Sequence, residues 1–184
     1  MNSILSKVFD VFVIGGGING CGVARDASGR GYSVYLSEKN DIASGTSSAS
    51  SKLIHGGLRY LENYEFSFVK KALKERDTLI SIAPHIVKEA RFILPYHKGL
   101  RPAWILKLGL MLYDNLYSSK FIKHSNSINI KSHATQTTLL ESYSKGFEYS
   151  DCIGDDSRLT VLNAIDAKKL GSFISTRTIV SNIK

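Results

Sequence analysis

The residues with the most evident chemical potential lie in one stretch, "TSSASSKLIHGGLRYLE", which spans residues 46–62. A run of hydroxyl side chains is followed by Lys52, the imidazole of His55 and a pair of glycines. Arg59, a rigid fork of donors, and the phenol of Tyr60 come next. A solvent-exposed linker would explain the serines but not the ordered set behind them. What these groups serve depends on the elements that precede them.

Those elements form a dinucleotide-binding pattern. A short apolar run ends in the spacing G-x-G-x-x-G at Gly15, Gly17 and Gly20, and a second apolar run ends in Glu38. In this pattern the glycines allow a tight turn, close approach of backbone to a pyrophosphate, and close helix–strand packing. The elements are predicted as strand, helix and strand over 8–15, 21–30 and 32–38.

Glu38 stands where an acidic side chain hydrogen-bonds a ribose hydroxyl and repels a 2′-phosphate. A glycine pattern alone is often a plain structural turn, but here strand, helix, second strand and acid follow in order. We therefore predict dinucleotide binding. The spacing itself does not separate NAD from FAD.

The stretch after Glu38 favours FAD, because no further strand–helix unit follows at once. Its hydroxyl and backbone donors could line the pyrophosphate and ribityl chain of an extended dinucleotide. The residues predicted to bind cofactor after the glycine turn are Thr46, Ser47, Ser48, Ser50, Ser51 and Lys52. For Lys52 a purely structural role stays open.

At these residues the chain resembles the FAD-dependent, quinone-reducing glycerol-3-phosphate dehydrogenases. The resemblance rests on "VIGGGINGCGVARDASGRG" and "TSSASSKLIHGGLRYLENYEF", and continues through "APHIVKEARFILP", "LRPAWILKLGLMLYDNL" and "GFEYSDCIGDDSRL". It implies an α/β fold, a glutathione-reductase-like FAD-binding domain of Rossmann type with part of an inserted α+β substrate domain. It also implies oxidation of glycerol 3-phosphate to dihydroxyacetone phosphate, with hydride transfer to FAD and electrons passed to quinone.

The resemblance assigns catalytic roles to His55, Arg59 and Tyr60. Arg59 is expected to bind the substrate phosphate, Tyr60 to add a hydroxyl or wall the pocket, and His55 to take the proton of the C2 hydroxyl. The glycines at 56 and 57 are expected to let backbone pass beside the flavin ring. Simpler readings stay open: His55 packs against the flavin, and Arg59 is a surface charge paired with Glu62.

The resemblance also predicts the domain organisation. Residues 1–75 form the first segment of the FAD-binding domain, 76–146 part of the substrate domain, and 147–184 an incomplete second FAD segment. Full-length relatives continue beyond residue 184, so the chain is expected to be a truncated, N-terminal portion. The alternatives are a non-catalytic FAD-binding remnant, or one half of a split enzyme with a complementing C-terminal chain. An amino-acid oxidase of the same superfamily is disfavoured by "LIHGGLRYLE".

Further elements follow from periodicity and turn signals. The apolar helix predicted over 101–120 is expected to be buried between domains, with a membrane-surface helix as the alternative. The predicted strand over 90–97 ends at Pro95, on a sheet edge. The predictions are helix 66–84, strand 90–97, helix 101–120, loop 125–146, strand from 147, a helix capped near Asp155 or Asp156, and strand 171–184.

Composition bounds the partners and the compartment. The net charge of +8 indicates an anionic partner, but scattered lysines and arginines without a recognition motif argue against nucleic acid. Cys21 and Cys152 have no metal-ligand spacing and are expected to be reduced, which is typical of a cytoplasmic protein. No signal peptide and no membrane-spanning segment are visible. We predict a cytoplasmic location, with peripheral contact at the inner face of the membrane as a further possibility.

Overall fold

The computed structural model describes residues 7–133, 139 and 142–183. The chain forms two compact units: the first joins the described residues up to Lys52 with those from Asp155 onward, and the second is Leu53–Gly154. The helices are α1 (Ile18–Gly29), α2 (Phe66–Ile82), α3 (Ala103–Leu116) and α4 (Asp156–Lys169). The strands are β1 (Val11–Ile14), β2 (Val34–Ser37), β3 (Leu53–Ile54), β4 (Val87–Pro95), β5 (Asn126–Asn129), β6 (Lys145–Gly154) and β7 (Phe173–Ser175).

The first unit is a parallel sheet in the order β1-β2-β7. Short β-branched strands of this kind suit a sheet that helices cover. Small side chains on α1 and α4 let these helices pack against the sheet. The core consists of Val13, Cys21, Ala24, Val34, Leu36, Ala164 and Ala167. The predicted strand–helix–strand unit is thereby confirmed.

The second unit is an antiparallel sheet in the order β3-β6-β4, with β5 also paired to β6. The long ladder between β4 and β6 runs from Val87 opposite Gly154 to Pro95 opposite Gly146. Among the described residues β4 pairs only with β6, so it is an edge strand that ends at Pro95, as predicted. Residues of α2 and α3 meet in a cluster of Val69, Leu73 and Tyr113.

The predicted loop over 125–146 is wrong in part, since β5 lies within it and pairs with β6. Its polar sequence carries little strand signal, and the pairing partner lies later in the chain. Residues 134–138, 140 and 141 of that prediction lie outside the described residues.

Two other predictions need correction. The last strand is limited to β7, because a left-handed residue at Arg177 follows it and the Thr178 N–H then donates to the Glu38 carbonyl. Helix α3 is not buried on all sides: Leu110 and Tyr113 are buried, whereas Trp104 is 68% exposed.

The compact units separate at residues 52/53 and 154/155, so α2 and β6 each lie wholly within the second unit. The predicted domain boundaries at 75/76 and 146/147 stay predictions. In the described part of the chain, no helix is both long and apolar enough to cross a bilayer.

Candidate functional site

The glycine turn of the first unit closes on its own backbone. Gly15 has φ +106°, and its N–H donates to the Ser37 carbonyl at 2.8 Å. A Cβ on Gly20 would lie 2.0 Å from the Gly15 carbonyl oxygen, so only glycine allows α1 to begin this close to the turn. A Cβ on Gly17 would meet only the Ser47 hydroxyl, at 3.2 Å. The turn therefore presents bare backbone beside the N-terminus of α1, where N–H groups without helical partners favour an anion.

Glu38 is fixed across this turn. One carboxylate oxygen accepts the Gly16 N–H at 2.6 Å and the other accepts the Asn40 N–H at 2.7 Å. The bond from Gly16, and then that from Asn40, lowers the pKa of Glu38. The carboxylate is thus ionised and oriented at neutral pH, and its remaining lone pairs can accept ribose hydroxyls. This geometry fits the adenosine portion of a dinucleotide.

The hydroxyl run begins as a short 3-10 turn, Thr46–Ser48. The Ser47 hydroxyl accepts the Ile18 N–H at 2.9 Å, which brings this turn against the start of α1. The Ser48 hydroxyl donates to the Gly45 carbonyl at 3.0 Å. Thr46 and Ser51 are exposed. Part of the run therefore adjoins the glycine turn, as a role at the pyrophosphate requires.

Ser50 and Lys52 bind Asp156 at the start of α4. The Ser50 hydroxyl donates at 2.6 Å and the Lys52 ammonium at 2.5 Å, and Lys52 has a left-handed backbone with φ +59°. The Lys52 contact is the main cause that lowers the pKa of Asp156. Asp155 caps α4 by accepting the Arg158 N–H at 2.9 Å, so a capped helix start is confirmed. These contacts favour a structural role for Lys52, and its contact with the cofactor stays a prediction.

In the second unit, the three predicted catalytic residues come together. His55, Arg59 and Tyr60 are exposed and line one open pocket of about 440 Å³, which Asp151 also lines. Glu62, the alternative partner for Arg59, pairs instead with Arg101 at 3.2 Å. Within the described part of the chain Arg59 makes no ion pair, so its donors are available to a ligand.

The glycine pair at 56 and 57 packs within its own unit. A Cβ on Gly56 would lie 2.3 Å from Leu73 Cδ2 and 2.6 Å from the Tyr113 hydroxyl. Gly57 has φ +75° and leads into the 3-10 turn Leu58–Asn63, which carries Arg59. The observed partners of Gly56 are side chains of α2 and α3, and the passage of this backbone beside the flavin ring stays a prediction.

A buried polar chain lies beneath this pair. Gly56 N–H donates to the Tyr113 hydroxyl at 2.8 Å, which donates to Asp151 at 2.8 Å. Arg76 donates to the same carboxylate at 2.6 Å, and both charged side chains are under 7% exposed. No sequence motif marks this polar series, because Arg76 reads as a surface charge of an amphipathic helix and Asp151 as one polar residue in a strand.

The cysteines are free and buried, as expected. Burial raises the pKa of Cys21 and of Cys152 to about 11, which leaves both as unreactive thiols. The described residues contain no group of three or more His, Cys, Asp or Glu placed to hold a metal ion.

Residues 10–184 match the family of FAD dependent oxidoreductases. The chain therefore belongs to this family.

Within the family, the chain is 56% identical over 174 residues to a glycerol-3-phosphate dehydrogenase of Pseudomonas tolaasii, covering 95% of this chain and 33% of that protein. It is also 56% identical to a D-erythritol 1-phosphate dehydrogenase of Brucella abortus, covering 92% and 34%. A solved structure of the glycerol-3-phosphate dehydrogenase from Bacillus halodurans, complexed with FAD, matches with a TM-score of 0.67 at 30% identity, covering 96% and 28%. The resemblance to glycerol-3-phosphate dehydrogenases stated from the motifs is thereby confirmed. The chain spans about a third of the length of these relatives.

Proposed function

We propose that this chain is the flavin-binding portion of an FAD-dependent glycerol-3-phosphate dehydrogenase. The observation that carries the proposal is the 56% identity to such an enzyme over 95% of the chain. Two features of the structure support it: a glycine turn with a fixed carboxylate, and a pocket in which Arg59 makes no ion pair with any described residue.

Each region has a distinct task under this proposal. The turn at Gly15–Gly20 and the N-terminus of α1 hold the pyrophosphate, Glu38 accepts ribose hydroxyls, and Ser47 lies beside them. FAD, when bound, supplies the acceptor for the hydride from the substrate C2. These residues bind and orient the cofactor without taking part in chemistry.

The pocket residues act on the substrate. Arg59 donates to the phosphate, a charge-assisted contact of about 1.5–3 kcal/mol. Tyr60 makes an edge-to-face contact with Phe68, with ring centres 5.0 Å apart, and walls the pocket. His55 accepts the C2 hydroxyl proton on a ring nitrogen or packs against the flavin, and both roles suit an exposed imidazole at the pocket rim.

D-erythritol 1-phosphate is a second candidate substrate, because a dehydrogenase named for it is as similar to this chain. Both compounds are phosphorylated polyols, and a phosphate contact by Arg59 serves either one. The distinction depends on groups that bind the remaining hydroxyls.

We further propose that a quinone accepts the electrons. The basic chain contacts an anionic membrane surface in the cytoplasm. A complementing C-terminal chain supplies the rest of the substrate site. The net charge of +8 supports the membrane contact. Vesicles with and without anionic lipid test it: equal sedimentation with both would contradict this part of the proposal.

Flavin binding is tested first, by titrating the purified chain with FAD and comparing Gly17→Val with Gly22→Ala. A valine at position 17 fills the space needed by the pyrophosphate and presses on Ser47, so bound flavin absorbance is expected to vanish. A Cβ at position 22 meets no atom within 4 Å, so that variant should bind like the wild type. Retained flavin in a folded Gly17→Val protein contradicts the placement.

Turnover is tested with a dye-linked assay on glycerol 3-phosphate and on D-erythritol 1-phosphate. Since the chain spans about a third of its relatives, other substrate contacts are expected outside it. Loss of two charge-assisted contacts costs about 3–6 kcal/mol, so the chain alone should be at least about a hundredfold slower than a pair reconstituted with a C-terminal half. Equal turnover with and without that half would show the substrate site to be complete in these residues.

A further inference from the structure

We propose that Tyr113 and Asp151 are positioning residues for the substrate-phosphate segment, residues 55–60, and act through the backbone N–H of Gly56. The inference rests on the proposed function, because the segment's phosphate role does. It assigns a task to Tyr113, which does not line the pocket of His55 and Arg59, and to Asp151, which does.

The contacts form an unbroken series. Gly56 N–H donates to the Tyr113 hydroxyl at 2.8 Å and, over a longer distance of 3.4 Å, to Asp151 Oδ1. Tyr113 donates to Asp151 Oδ1 at 2.8 Å, and Asp151 accepts from Arg76 Nη1 at 2.6 Å. Tyr113 is 2% exposed, and Arg76 and Asp151 are each 4% exposed. Because these groups are removed from water, breaking one hydrogen bond of the series leaves a buried polar group without a partner and costs free energy.

The series has a fixed direction. Burial, and then the charge of Asp151, raise the pKa of Tyr113, so the phenol stays protonated at neutral pH. The Tyr113 O–H donates its hydrogen bond to the Asp151 carboxylate, and a lone pair on the same oxygen accepts the Gly56 N–H. Gly56 also approaches Leu73 too closely for any side chain, so contact and hydrogen bond fix the same point of the backbone.

That point controls both sides of the segment. His55 precedes Gly56 directly, and Gly57, at φ +75°, turns the chain into the 3-10 helix that carries Arg59. Both side chains line the same pocket, and Asp151 lines it too. A shift of Gly56 therefore moves the imidazole and the guanidinium together.

The decisive variant is Tyr113→Phe, which removes the hydroxyl and keeps the ring. Tyr117→Phe is the matched control, since Tyr117 packs against the same cluster and its hydroxyl makes no hydrogen bond among the described residues. Hydrogen exchange at the Gly56 amide, followed by NMR, is the first measurement. Exchange should be at least about tenfold faster in Tyr113→Phe and unchanged in Tyr117→Phe.

Phosphate affinity is the second measurement, with inorganic phosphate and glycerol 3-phosphate as probes. Tyr113→Phe should weaken binding about threefold to tenfold, Tyr117→Phe should not, and the loss should disappear in an Arg59→Ala background. A merely structural tyrosine would lower the thermal midpoint in both backgrounds without any loss that depends on Arg59.

The outcomes separate the two proposals. If the wild type binds neither anion through Arg59, the proposed function fails for this chain. Hydrogen exchange at Gly56 still decides whether Tyr113 fixes the backbone there. Unchanged Gly56 exchange in Tyr113→Phe overturns the inference, as does an equal loss of phosphate affinity in both tyrosine variants. If Tyr113→Phe does not fold, the wild type serves: a slowly exchanging Tyr113 hydroxyl proton is expected, and a freely exchanging one overturns the inference.

Discussion

The glycine turn at Gly15–Gly20 and the glycine pair at 56 and 57 both bring backbone close to other atoms, but by different means. In the turn, Gly20 closes on backbone, with its Cβ position 2.0 Å from the Gly15 carbonyl, and Glu38 is bound to main-chain N–H groups. In the pair, Gly56 closes on the side chains of Leu73 and Tyr113, which come from distant helices. A local sequence pattern can encode the first arrangement, whereas the second exists only after the helices have packed.

The two units also differ in how far their ion pairs are exposed to solvent. Arg25 and Asp166 in the first unit approach to 2.6 Å with side chains about half exposed, at 53% and 44%. Arg76 and Asp151 in the second unit also approach to 2.6 Å, with 4% and 6% exposed. At equal distances, removing one partner should therefore destabilise the buried pair more than the exposed pair, because the remaining buried charge is not solvated by water.

The largest expected effect comes from breaking the buried pair. Arg76→Met should lower the free energy of unfolding by about 3–5 kcal/mol, because two buried carboxylates, Asp151 and Asp77, lose their counter-charge. Arg25→Met, the control, should cost less than about 1 kcal/mol. Urea unfolding measures both. Equal losses would contradict the assignment of the difference to burial.

A smaller loss is expected at the backbone-closed turn. Gly20→Ala should cost about 3 kcal/mol, since the added methyl meets a carbonyl that cannot rotate away. Gly22→Ala, on the same helix, meets nothing within 4 Å and should be neutral or stabilising by up to about 1 kcal/mol. Thermal unfolding followed by circular dichroism compares them. A Gly20→Ala protein as stable as Gly22→Ala would show that the turn relaxes.

The side-chain-closed pair should tolerate change somewhat better. Gly56→Ala should cost about 2 kcal/mol, because Leu73 can shift partly while Tyr113 is held by its hydrogen bonds. Gly109→Ala, in α3, has no atom within 4 Å of the added methyl and serves as the control. If Gly56→Ala cost more than Gly20→Ala in the same unfolding assay, the ranking of the two segments would be reversed.

The smallest effect is expected at Glu38. Glu38→Gln should weaken FAD binding about fivefold, or about 1 kcal/mol, as a charge-assisted bond becomes neutral.

Because the folded-state pKa of Glu38 is lowered, its stabilisation is complete above the unfolded value of about 4.3 and is lost as pH falls through the folded pKa. The wild-type and Glu38→Gln melting points should therefore converge as pH falls through that lowered pKa. A constant gap would place the stabilisation elsewhere.

Sequence reasoning identified the first unit well because its signals are local. The turn, the strand ends and Glu38 lie within one continuous stretch, and the N-cap at Asp155 follows from its own side chain. The same reasoning failed at β5, whose polar residues are strand only through pairing with β6, and at the last strand, which ends after Ser175. In both places a distant partner decided the backbone conformation.

The sequence by itself determined the dinucleotide turn and the grouping of His55, Arg59 and Tyr60, because the chemistry lies in neighbouring residues and in glycines whose conformations are locally required. Only the tertiary structure decided what holds that group. Arg76, Tyr113 and Asp151 are distant in sequence, and each reads alone as an ordinary helix or strand residue. They become a polar chain because folding removes all three from water at once, so that Tyr113 and Arg76 both donate to the Asp151 carboxylate.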